Sequence, residues 1–158
     1  MKATLILLVA APLRAAFVGP PAMGRYAKLK MSAATDVVDS FVAATERGDA
    51  AAATAVCAED LLYKTHSATT DSLAAAAKRL KTKVPKPKSV KTELHEESPG
   101  VFVREIVVKP VPFVTVGVRQ EFEVRCTDEE GVTVTDEEEA DSCELMRAEY
   151  TKTSGGKD

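Results

Sequence analysis

Residues 113–125 read FVTVGVRQEFEVR, and apolar and polar positions alternate along this stretch. Val114, Val116, Val118, Phe122 and Val124 share one face; Thr115, Arg119, Glu121, Glu123 and Arg125 share the other. A period of two that separates apolar from charged side chains specifies an antiparallel strand with one dry and one wet face. Such a strand needs paired edges and a layer over its dry face. One polar residue, Gln120, interrupts that face. A buried amide requires a partner, and two are open to it: a ligand, or, as the expectation here, a helix backbone.

The neighbouring segments supply the partner strands. Val90, Thr92 and Leu94 alternate with charged residues, and VFVREIVVK over Val101–Lys109 is a second long strand. There, either Arg104 or Glu105 must share a face with valines, and a buried ion needs a counter-charge. Asp128–Gly131 is a turn, after which Val132–Thr135 returns as a strand. Residues 136–150 fit two readings. Thr135 with Glu138 forms the capping box of a C-terminal helix, or the sheet continues. Residues 151–158 read as a disordered tail.

The layer over the dry face comes from earlier in the chain, where the period is helical. Asp36 to Arg47 places Val37, Val38, Phe41, Val42 and Thr45 on one side, with Thr35 or Asp36 as the cap. Gly48 supplies the left-handed stop and Asp49 caps a second helix, from Ala50 to about Glu59, whose small inward face is Ala52, Ala53, Val56 and Cys57. The tripeptide Arg47-Gly48-Asp49 is therefore a helix end, a break and a restart rather than an adhesion signal. Leu61–His66 is a short strand. A third helix follows, capped by Thr70 or Asp71, with Leu73, Ala76, Ala77 and Leu80 inward, until Val84-Pro85 and Pro87 end it. Helices first and strands after mean α+β.

The first thirty-five residues differ in kind. They hold five basic residues and no acid, leaving 16 basic against 24 acidic residues in the remainder, a net of −8. Met1-Lys2 and the apolar run Leu5–Ala11 fit a signal peptide over 1–16, too short for a bilayer span. Residues 17–35, FVGPPAMGRYAKLKMSAAT, are basic and acid-free. The junction Ala15-Ala16-Phe17 resembles that of bipartite presequences in algae with secondary plastids, which implies a transit-peptide-like linker and plastid (chloroplast) import through the secretory pathway. Plain secretion is the alternative. The folded domain is then 36–150.

The order helix, Gly-Asp, helix, acidic turn, strand, helix and strand meander resembles the NTF2-like superfamily, with its SnoaL-like and ketosteroid-isomerase-like branches. Phe41-Val-Ala-Ala-Thr-Glu-Arg-Gly-Asp49 and Val56-Cys-Ala-Glu-Asp60-Leu-Leu-Tyr63 carry the likeness, with the Arg125–Val134 hairpin. The resemblance implies a cystatin-like cone in which three N-terminal helices pack on a curved antiparallel sheet around a pocket. It also implies where ketosteroid-isomerase chemistry would sit. The oxyanion-donor tyrosine, eight residues before Asp49, is Phe41 here, and the aspartate base, sixteen after it, is Thr65. Phenylalanine has no hydroxyl and threonine is no base near neutral pH.

The expected ligand-binding residues are Phe41, Tyr63, Thr65 and Gln120, lining a pocket for a small lipophilic molecule without that chemistry. An enzyme of SnoaL-like type is the alternative, with Tyr63, His66 or Glu105 as a non-standard acid or base. On a strand His66 points away from the face that Thr65 shows. A dimerising module, a homodimer through the sheet face, is the third reading. His95 is read as facing solvent. The lysine-rich run from Lys78 to Lys91 lacks aromatics and belongs to an acidic domain, so it reads as a solvated helix end, not a nucleic-acid patch. The acid runs Asp128–Glu130 and Asp136–Glu139 lack calcium-loop spacing, and no metal or cofactor motif is present. Cys57, Cys126 and Cys143 form no C-x-x-C pair and read as free thiols, with one pair plus one free thiol as the alternative.

Overall fold

The computed structural model describes residues 33–157, so the leader over 1–16 and most of the segment 17–35 lie outside the described residues. Within that range the chain forms three helices, α1 (Ala34–Arg47), α2 (Ala50–Thr54) and α3 (Leu73–Leu80), and one seven-stranded sheet. The strands are β1 (Cys57–Lys64), β2 (Thr69–Thr70), β3 (Ser89–Ser98), β4 (Val101–Val111), β5 (Val114–Thr127), β6 (Thr133–Val134) and β7 (Ser142–Lys157).

α1 buries Val37, Val38, Phe41 and Thr45 as its period predicts, and Ala44 with them, while the expected Val42 is half-buried. Its start departs from expectation. Ala33 occupies the N-cap position with no side-chain bond, and Asp36 lies in the first turn, where its charge suits the positive end of the helix. Gly48 takes φ 73°, and the N–H groups of Gly48 and Asp49 close onto the carbonyls of Thr45 and Ala44 at 3.2 and 2.9 Å. Asp49 Oδ1 then accepts from the Ala52 N–H at 3.0 Å and starts α2. α2 ends at Thr54, not near Glu59. The Val56 carbonyl accepts from the Leu145 N–H at 2.8 Å, so β7 captures the chain as strand β1 from Cys57. α3 buries Leu73, Ala76, Ala77 and Leu80 as expected, but its cap is Ser72, whose Oγ accepts from Ala75 N–H at 3.2 Å.

The sheet order is β2-β1-β7-β5-β4-β3, with β6 beside β5. β3, β4 and β5 form the expected antiparallel meander. The sheet as a whole is mixed, correcting the all-antiparallel expectation, because β7 inserts between β5 and β1 and runs parallel to β1. α3 also follows β1 and β2 in the chain, so the helices do not all precede the strands. The register of β5 against β7 shifts between Gly117 and Val118 and again between Glu123 and Val124. Such bulges bend strands.

One open local reading is decided for the strand, and two others are corrected. Residues 136–150 are a short 3₁₀ turn at Glu137–Glu139 followed by strand, and the turn is capped by Asp136 Oδ1, which accepts from Glu138 N–H at 2.9 Å. Residues 151–157, read as a tail, continue β7: Thr151 pairs with Arg119 and Lys157 with Val114. Phe113, read as the first strand residue, instead completes the Pro112-Phe113 turn at φ 72° with 71% exposure, while Val111 and Val114 pair across it. A turn with proline first and positive φ second usually has glycine there.

The thiol expectation is also corrected. Cys126 and Cys143 face each other across β5 and β7 with Cα atoms 3.9 Å apart and are joined as a disulfide; Cys57 stays outside it as a buried thiol that donates to the Ala53 carbonyl at 3.1 Å. Their sequence separation of 17 gives no hint of this. The register does, by setting them directly opposite.

The core sits between the three helices and one half of the sheet's inner face. Phe41 is fully buried, its ring edge-on to Tyr63 and Phe122 at 6.4 and 6.2 Å. Tyr150 completes the cluster, 5.7 Å from Tyr63 and 6.2 Å from Phe122. Edge-to-face contacts of this kind add to simple burial.

Candidate ligand-binding cavity

Across the inner face, β7, β5 and β4 bring Tyr150, Gln120 and Arg104 into one row. Gln120 is buried, and its Oε1 accepts from Arg104 Nε. Arg104 Nη2 reaches Glu46 Oε2 of α1 at 3.8 Å. The partner of the buried amide is thus an arginine, not the helix backbone that was expected. The inward ion of β4 is Arg104. Glu105 stands opposite Arg119 and off the cavity wall.

This polar row divides the sheet. On one side lie Phe102, Phe122 and Ala148 under the helices. On the other, Ile106, Val108, Val116 and Val118 floor a cavity of about 520 Å³. Its walls are Arg79 of α3, the loop 82–85, the turn 65–67, Pro110 and Lys152; Tyr63, Gln120 and Tyr150 close its inner end. The size falls in the range of small-molecule sites, which are mostly apolar with a few placed polar groups.

Three of the four expected residues, Tyr63, Thr65 and Gln120, lie on this wall; Phe41 does not, because the aromatic cluster encloses it. His66 lines the cavity too, contrary to expectation. β1 ends at Lys64, and in the turn that follows strand alternation no longer applies. Within that turn Thr65 Oγ1 lies 3.2 Å from Ser67 Oγ, and Arg79 Nη2 donates to Ser67 Oγ at 3.0 Å and to Thr65 Oγ1 at 3.5 Å.

Both tyrosines hold their protons firmly. Burial raises the Tyr63 hydroxyl above the usual phenol value, with the nearby Arg79 charge and the Tyr150 hydroxyl opposing it in smaller measure. Burial also pushes Tyr150 well above that value, and the Tyr63 hydroxyl adds to the rise. These phenols are hydrogen-bonding groups, not bases. The Tyr150 hydroxyl is buried and makes no hydrogen bond of good geometry, although the Tyr63 and Thr45 hydroxyls lie near it. No aspartate or glutamate contributes to the described lining.

Sequence reasoning missed Arg79, Tyr150 and Lys152. Arg79 was grouped with the solvated lysines, although it flanks the buried Ala76 and Leu80. Tyr150 and Lys152 lay in segments of ambiguous period; Ala148, Tyr150 and Lys152 do alternate, and that was the available signal.

Comparison with solved structures places this architecture. A putative polyketide cyclase from Sinorhizobium meliloti matches with a TM-score of 0.50 at 15% identity, over 73% of this chain and 94% of that one. An NTF-2 like protein of unknown function from Burkholderia xenovorans matches with a TM-score of 0.50 at 9% identity, over 77% and 83%. The fold is NTF2-like. An epoxide hydrolase/cyclase-like enzyme of pyran ring formation in the polyether salinomycin also shares it, with a TM-score of 0.52 at 11% identity, over 81% of this chain and all of that one. No protein-family model matches the sequence, and no curated protein does. At these identities the likeness concerns the fold, and function must be argued from the residues that the NTF2-like scaffold presents to its cavity.

Proposed function

We propose that the protein binds a small lipophilic molecule in the cavity of its NTF2-like fold, without ketosteroid-isomerase-type chemistry. The observation that carries this reading is the cavity itself: about 520 Å³, floored by valines and an isoleucine, with no carboxylate in its described lining. Phe41 and Thr65, at the positions where the resemblance asks for a tyrosine donor and an aspartate base, support the second clause. Native mass spectrometry of mature protein from its own source is the test. A co-purifying apolar ligand is expected. Protein that arrives empty and displaces no apolar fluorescent probe overturns the reading.

A second reading is an enzyme of SnoaL-like type that uses His66 as the proton-transfer group. It is favoured by His66 and both tyrosines lining one cavity. Turnover of an epoxide or cyclisable probe, abolished by His66→Ala with probe binding intact, would select it.

For localisation we propose that residues 1–35 direct the chain through the secretory pathway to a plastid. The Cys126–Cys143 disulfide suits an oxidising route. A fluorescent reporter carrying residues 1–35 in such an alga should enter the plastid; cytosolic signal sinks the proposal, and secreted signal selects the alternative.

A further inference from the structure

We infer that the ligand is an amphipathic anion, an apolar tail with a carboxylate or phosphate head, and that Arg79 receives the head group. This rests on reading the cavity as a lipophile site. Six arginines lie among the described residues. Five of them pair with carboxylates: Arg47 with Asp49, Arg104 with Glu46, Arg119 with Glu97, Arg125 with Glu144 and Arg147 with Glu121.

Arg79 is the exception. Its hydrogen-bond partners among the described residues are the neutral hydroxyls of Ser67 and Thr65, and its Nε is buried with no partner. A guanidinium carries five donors in a planar fork matched to two oxygens of a carboxylate or phosphate. Half-buried, with no carboxylate beside it among the described residues, that fork has donors left for an anion to fill.

Among the described residues the cavity has no counter-charge of its own. Lys83 and Lys152 line it alongside Arg79, both exposed, and no acid does. An excess of cations around a recess attracts anions and raises their local concentration. The floor of Ile106, Val108, Val116 and Val118 has no polar side-chain atom to offer and suits only a tail. The lining therefore has a cationic side and an apolar side, which an amphipathic anion satisfies and a neutral lipid does not.

The test is titration of the full chain with decanoate, decyl phosphate and methyl decanoate, on the native protein, Arg79→Met and Arg79→Lys. Circular dichroism checks that each variant folds. At least one anion should bind about tenfold or more tightly than the ester, the scale of a charge-assisted hydrogen bond. The preference should vanish in Arg79→Met with ester affinity unchanged, and survive in part in Arg79→Lys. Whichever of the two anions binds more tightly identifies the head group. Equal affinity for acid and ester overturns the anion inference and leaves the lipophile reading standing. No binding of any of the three overturns both. If Arg79→Met does not fold, the native preference and its weakening by salt decide the matter, because a contact between charges is screened and an apolar one is not.

Discussion

The inner face of the sheet has two halves built from the same strands and nearly the same residue types. In one half Phe102, Phe122 and Ala148 are buried in the core with Phe41 of α1, whose ring is edge-on to Phe122. In the other, Ile106, Val108, Val116 and Val118 face a cavity. The boundary is the polar row of Tyr150, Gln120 and Arg104, tied to α1 through Glu46. The difference lies in what covers the strands. α1 covers the packed half, whereas the cavity is bordered by Arg79 of α3, a proline-punctuated loop and a turn. The packed half provides stability, and the open half leaves a cavity.

The sharpest way to break the comparison is to cut equivalent positions in the two halves. Phe122→Ala should lower unfolding free energy by about 3–5 kcal/mol, as large-to-small changes in filled cores do. Val118→Ala, on the same strand and face, should cost about 1 kcal/mol or less because its side chain already borders open space. Chemical denaturation of both variants measures the contrast. Similar losses would mean that the open half is packed in solution.

The disulfide pins the packed end of the sheet. Replacing Cys126 and Cys143 by alanine together should cost about 2–4 kcal/mol and leave apolar-probe binding unchanged. A loss of probe binding at unchanged stability would refute the separation of the two ends.

The boundary itself is tested by Arg104→Met, which leaves Gln120 and Glu46 without their partner. The expected cost is about 1–3 kcal/mol, together with a change in probe affinity, because Gln120 lines the cavity. An effect on neither would deny the row its role.

The smallest effect belongs to the outer face, where charges form a ladder. Glu121 accepts from Arg147 at 2.6 Å, and the Arg147 bond, aided by Arg119, holds its carboxyl below the usual carboxylate value. Its folded-state value is depressed, so its contribution is complete above the unfolded carboxylate range and is lost as pH falls through the folded value. Arg147→Met should flatten the acid limb of the stability–pH profile and remove about 1 kcal/mol or less at neutral pH, given the partial exposure of the pair. An unchanged acid limb would show the ladder to be energetically idle.

Much of this architecture was legible in the chain, for reasons that can be named. Gly48 and Asp49 act through their own backbone and a neighbour three residues away, so the helix break was readable. The alternation of β5 and the inner faces of α1 and α3 were readable because burial imprints its period on the sequence. Of the cavity, Tyr63, Thr65 and Gln120 were found through the strand they ride on or the distance from Asp49. What stayed hidden depended on distant segments. Cys57 became strand rather than helix because β7 claimed Val56, and Cys126 met Cys143 because the register of β5 and β7 placed them opposite. The partner of Gln120 came from β4, which no local pattern could announce.

By itself, then, the sequence determined an α+β chain with a one-sided sheet, its helix stops and its apolar faces, because these obey local geometry and the cost of exposing apolar surface. Only the tertiary structure decided that the sheet is mixed, that its valines floor a cavity instead of a core, and that Arg79 stands in that cavity with no carboxylate among the described lining. Those outcomes depend on which surfaces the helices are long enough to cover. That is set by how the whole chain packs and is written at no single position.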